Sequence, residues 1–107
     1  MDNTSKIGLG SVQWGTSYGI SNDHGITNLS EVRKILEISE SEKINLIDTA
    51  SLYGKAEIKL GNFNLSNFKI VTKTPKLDSK IITSEEIFNL EKTFQKSLKN
   101  LNLNKIY

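Results

Sequence analysis

Three polar side chains of this sequence have types and spacing that suit proton transfer. Asp48 ends the apolar run "INLIDTA", Tyr53 follows five positions later, and Lys73 ends a second apolar run, "FKIVTK". A tyrosine near its usual pKa of about 10 is a poor acid at neutral pH. A lysine cation beside it favours the phenolate and so makes it a better proton donor. An aspartate beside the lysine would hold that cation and orient it. Taken singly, each residue has an ordinary explanation: a turn aspartate, a packed Tyr-Gly loop, a solvated lysine. Placed at consecutive strand ends, the three together point to a proton donor with its tuning pair.

The elements that must position them can be read from periodicity. "KIGLGSVQWG", residues 6–15, reads as a short apolar strand ending in glycines. "TSYGISNDHGITN" is a loop by its turn chemistry. The following "EVRKILEISESEK" has Val32, Ile35, Leu36 and Ile38 or Ser39 near helical spacing, with Asn28 or Ser30 as its N-cap. "INLIDTA" is the second strand. "AEIKLGNF" is a short helix, with Gly61 expected as a left-handed C-cap. "FKIVTK", residues 68–73, is the third strand, and Pro75 ends any continuation. The longest helix is expected to be capped by Ser84, with Ile87, Leu90, Phe94, Leu98 and Leu101 as its apolar stripe. "NKIY" looks like the opening of a fourth strand.

Alternating strands and helices argue for parallel strands with helical crossovers, in an α/β (β/α)8 barrel or an open doubly wound sheet. Such folds carry their chemistry at the carboxyl ends of the strands, where Asp48, Tyr53 and Lys73 fall.

Composition narrows the function classes. Of 14 basic residues all but Arg33 are lysines, dispersed along the chain, and the net charge is +2. Neither favours a nucleic-acid or membrane partner. No cysteine is present, which removes disulfides, thiolate metal sites and a thiol nucleophile together. No metal site is expected. The opening "MDNTSKIGLG" lacks a signal-peptide pattern, and a cytoplasmic location is expected.

"DTASLYGKAEIKLG" resembles the signature of the aldo-keto reductase family, on Asp48, Thr49, Ala50, Tyr53, Gly54, Glu57, Leu60 and Gly61. "KIVTK" is similar to that family's third strand, "IGLGSVQWG" to its first strand and glycine turn, and "FQKSLKNLNLNKIY" to the end of its third helix. The resemblance covers nearly all of residues 1–107. It implies the N-terminal portion of a (β/α)8 TIM barrel, with three βα units and the start of strand four. It also implies an NAD(P)H-dependent reduction of a small carbonyl compound, with NADPH preferred over NADH. Tyr53 would be the acid, Lys73 its tuning cation and Asp48 the partner of Lys73. Gly10, Ser11, Val12 and Asp48 would line the cofactor site.

The resemblance also sets limits. A barrel of this type needs about 250 residues, and the family's catalytic histidine would end strand four. The chain is therefore expected to be a partial domain, truncated before the second half of the barrel and inactive alone. The alternative is a non-catalytic remnant that self-associates through its uncovered barrel-interior face. A Rossmann-type nucleotide binder is disfavoured, because "GLGSVQWG" departs from G-x-G-x-x-G. Trp14 would either wall the substrate site or pack beneath the loop. Tyr18 would overhang the pocket or simply pack. His24 is expected to be a solvated loop residue.

Overall fold

Three short strands, each with its middle residue the most buried, build the centre of the molecule. The computed structural model describes residues 5–107. The reading of the opening stretch falls partly on residues 1–4, outside the described residues. The order is β1 (Gly8–Gly10), α1 (Val12–Gly15), α2 (Leu29–Ser41), β2 (Leu46–Asp48), α3 (Ala56–Leu60), β3 (Lys69–Val71) and α4 (Ser84–Leu101). The strands pair in parallel in the order β1-β2-β3. Their register aligns Leu9, Ile47 and Ile70 in one row and Gly10, Asp48 and Val71 in the next.

Because successive side chains of a strand point to opposite faces, those two rows have different fates. Ile47 and Ile70 are buried, and they join Trp14, Val32, Leu36, Ala56, Leu60, Leu65 and Leu101 in the core beneath the helices. Gly10, Asp48 and Val71 lie on the other face, exposed or half-buried. Burial of the first row holds the register that delivers Asp48 to the open face.

The helices follow their local signals, with corrections. Asn28, not Ser30, caps α2: its Oδ1 accepts from the Glu31 backbone N–H at 2.9 Å. Of the two candidates for the inner face, Ser39 is buried and Ile38 exposed, because the buried set Val32, Leu36, Ser39 keeps the helical i, i+4, i+7 spacing. Thr83, not Ser84, caps α4, its Oγ1 accepting from the Glu86 N–H at 3.2 Å. The threonine sits in extended backbone, as an N-cap must, whereas Ser84 is already helical.

The expected stripe on α4 is mostly uncovered: Leu101 is buried, Leu90 and Leu98 are half-buried, and Ile87 and Phe94 are exposed. "NKIY" forms no strand, yet the Tyr107 N–H donates to the Ile70 carbonyl at 3.1 Å and so runs beside β3. The first strand is shorter than expected, because residues 12–15 wind into the helical turn α1.

Gly61 is not a left-handed cap. Its φ of −62° is ordinary, and the need for glycine comes from elsewhere. A Cβ there would stand 2.0 Å from the Asn100 carbonyl oxygen, where the end of α3 touches α4. Among the described non-glycine residues, the left-handed positions are Lys43 (φ 58°) and Asn102 (φ 55°). Asn102 suits its place at the end of α4, since asparagine tolerates this conformation. Lys43 does not, because its Cβ crowds the following carbonyl. Lys43→Gly is expected to raise stability to urea by about 0.5–1 kcal/mol, and an unchanged or lower midpoint would contradict this.

Candidate functional site

The register that aligns Gly10, Asp48 and Val71 assembles the site at the carboxyl end of the sheet. The structure brings Asp48, Tyr53 and Lys73 together. The Lys73 ammonium donates to Asp48 Oδ2 at 2.8 Å and to the Thr49 carbonyl at 2.9 Å, and makes a long contact of 3.4 Å to the Tyr53 hydroxyl. It also stands 5.0 Å from the centroid of the Tyr53 ring. The Asp48 and Lys73 side chains are each nearly half exposed, so the cluster opens to solvent on one side.

Each member is held by its backbone as well. The Ser11 N–H and Oγ both donate to the Asp48 carbonyl, at 3.0 and 2.9 Å, from a fully buried position. The Ser51 Oγ donates to the Lys73 carbonyl at 2.9 Å, which extends the β2–β3 pairing beyond the strands proper. Lys73 lies two residues past the end of β3, and this bond secures its segment. Tyr53 is half-buried, and its loop is closed by the Tyr53 N–H donating to Ala50 and by the Ala56 N–H donating to Tyr53. The loop rests on α1 through glycine: a Cβ on Gly15 would meet the Tyr53 carbonyl oxygen at 1.6 Å, and one on Gly54 the Gly15 carbonyl oxygen at 2.1 Å. Gly54 also has a positive φ of 53°.

The electrostatics favour a charged lysine. Partial burial pulls the Lys73 pKa down, but hydrogen bonds to Asp48 and Tyr53 and the negative charge of Asp48 outweigh it and hold Lys73 above the usual lysine value of 10.5. Lys73 is therefore a cation at neutral pH. An ammonium aimed at a phenol oxygen stabilises the negative charge left there when the proton departs.

The other singled-out residues separate. Gly10 borders Asp48 on the open face, and a Cβ built there meets nothing within 4 Å. Ser11 has its hydroxyl committed to the Asp48 carbonyl, while Val12, half-buried, begins α1. Trp14 is buried in the core, which gives it the packing role rather than that of a pocket wall. Tyr18 and Ile20 are exposed in their loop. His24 is a solvated residue beside Asp23, as its sequence context suggests.

Sequence reasoning missed Ser51 and Thr72, and it named Glu57 only as part of a signature. Glu57 is buried at 3% exposure, accepting from Thr72 Oγ1 at 2.9 Å and from Ser97 Oγ at 3.2 Å. The signal was present. Glu57 lies three residues before Leu60, on the same helical face, and an acid on an apolar face implies a polar partner.

The aldo/keto reductase family matches residues 6–106. Two solved structures of Pseudomonas aeruginosa proteins, each assigned as an aldo-keto reductase, superimpose on the chain. One has 28% sequence identity and a TM-score of 0.78, the other 27% and 0.75. Each alignment covers 96% of this chain but only 40% and 39% of the solved chains. The chain thus spans about two fifths of the length of the structures it matches. No curated protein sequence gives a significant match.

Proposed function

The chain belongs to the aldo/keto reductase family, and from that premise we propose that it reduces a carbonyl group at the Asp48–Tyr53–Lys73 cluster with NADPH as its reductant. Its α/β fold is that of consecutive strand–helix units of a TIM barrel, and family membership implies oxidoreductase chemistry. The observation that carries the reading is the placement of a phenol, an ammonium and a carboxylate within bonding reach at the carboxyl end of a parallel sheet.

The residues present fit a nicotinamide cofactor. Gly10 leaves bare backbone beside the Asp48 carboxylate, with open space where a side chain would stand. Gly10, Ser11, Val12 and Asp48 would form the seat of the ring, Ser11 indirectly, by holding the Asp48 carbonyl with both its N–H and its hydroxyl from a buried position. When bound, the reduced nicotinamide supplies a hydride to the carbonyl carbon. The chain's own residues manage the proton. Tyr53 Oη donates it to the carbonyl oxygen. Lys73 stabilises the phenolate left behind, and Asp48 keeps the ammonium aimed at Tyr53 rather than at solvent.

The activity is proposed for the polypeptide that joins these units to the remaining barrel strands. None is expected of the 107 residues alone. The test uses NADPH deuterated at the transferred position, a panel of aldehydes and ketones, and protein with and without the additional strands. Deuterium should appear at the carbinol carbon of a product alcohol only with the longer protein. Failure of the longer protein to transfer label to any carbonyl would overturn the reading.

A further inference from the structure

Glu57 is a buried carboxylate that the proton chemistry leaves unused. It lies on the face of α3 that also buries Ala56 and Leu60. Among the described residues, no lysine, arginine or histidine lies within ion-pair distance of it. Its contacts are two hydroxyls, Thr72 Oγ1 on Oε2 and Ser97 Oγ on Oε1, and Ser97 is itself buried at 2% exposure.

Burying an acid without a cation is costly, and an apolar side chain of similar volume would often pack such a seam at least as well. Stability of the α3–α4 contact alone does not account for it. What a carboxylate does there, and a leucine would not, is accept from both hydroxyls at once. It thereby joins three segments: α3, the residue before Lys73, and α4.

We propose that Glu57 is a positioning residue, which holds the Lys73 segment against the Tyr53 turn through Thr72 Oγ1. The inference rests on the roles of Tyr53 and Lys73 given above. The lever is short: Glu57 follows Tyr53 by four residues, and Thr72 adjoins Lys73. Apart from its long direct contact with Tyr53, the other anchors of Lys73 in this region, at Asp48, Thr49 and Ser51, tie it to β2 and the residues just after it. Among the described residues, the Glu57–Thr72 bond is the one hydrogen bond between this segment and α3.

The link needs a hydrogen-bonding group at residue 57 but no charge. A glutamine can accept from one hydroxyl and donate to the other, since hydroxyls do both. Glu57→Gln should therefore preserve the link, whereas Glu57→Ala and the nearly isosteric Thr72→Val should break it.

NMR of the 107-residue chain reads this without substrate. The signals are the nuclear Overhauser effect between the Lys73 ε-methylene and the Tyr53 ring, and the titration midpoint of Lys73. Thr72→Val and Glu57→Ala should lose the first and shift the second down toward the ordinary lysine value. Glu57→Gln should keep both. If Glu57→Ala does not fold, Thr72→Val decides. An unchanged Overhauser effect and midpoint in Thr72→Val would overturn the proposal. So would a Glu57→Gln chain that behaves like the alanine variant, because charge rather than the link would then be acting. A failed Tyr53 assignment shows itself separately, as turnover that survives loss of the phenol.

Discussion

Tyr53→Phe in the active protein lowers kcat for carbonyl reduction by about 10²–10⁴-fold, the usual worth of a positioned general acid. Loss of one hydroxyl leaves the ring that packs against the core, and its contact with Lys73 is a long 3.4 Å. The fold should therefore change little. Because the proton is needed in the transition state rather than for binding, kcat and kcat/KM should fall together while KM stays nearly constant. Steady-state kinetics with NADPH and a reactive aldehyde checks this, with circular dichroism to confirm folding. Turnover within a few-fold of the parent protein would assign the proton to another group, and the Lys73–Asp48 pair would then need a different explanation.

Gly15→Ala carries the largest structural effect expected. The added methyl would lie 1.6 Å from the Tyr53 carbonyl oxygen, 2.7 Å from its carbonyl carbon and 2.6 Å from the Ala56 nitrogen. All three are backbone atoms, so no side chain can swing aside. Either α1 or the Tyr53 turn must move. Overpacking of this kind costs about 1–3 kcal/mol, occasionally more. For a chain of this size each kcal/mol lowers Tm by about 4–8 °C. Thermal unfolding of the variant measures the stability loss, and the Overhauser effect between Lys73 and Tyr53 reports displacement of the phenol. A variant with unchanged Tm and an intact Lys73–Tyr53 contact would show that the α1–turn contact is looser than the structure places it. The site thus depends on a glycine far from it in sequence, because the turn carrying the acid lies directly on the α1 backbone.

Much of the architecture was legible because its causes are local. The apolar runs "INLIDTA" and "FKIVTK" and the helical spacing of Val32 and Leu36 reflect the geometry of one element at a time. Element ends were less legible. Thr83 and Ser84 are both good capping residues, and only the backbone at residue 83 decides between them. The apolar residues of α4 were correctly placed on one face, yet burial along that face requires a neighbour. Around Ile87 and Phe94 the described residues supply too little of one to bury them.

Gly61 shows the other kind of miss. A glycine after a short helix suggests a left-handed cap, a reading that uses only nearby residues. Its actual constraint is the Asn100 carbonyl, 39 positions away. Likewise the partners of Asp48 and Glu57 come from distant segments: Ser11 lies 37 residues before Asp48, and Ser97 lies 40 after Glu57.

The sequence by itself determined the parallel α/β character, the family resemblance, and the presence of an acid, a cation and a carboxylate at successive strand ends. These follow from side-chain periodicity and from spacing along one chain. Only the tertiary structure decided that Lys73 bridges Asp48 and Tyr53, that Ser11 and Ser51 hold their backbones, and that Glu57 is buried between two hydroxyls. Those are distances between segments whose separation in sequence carries no information about their separation in space. Sheet register and close backbone packing set them.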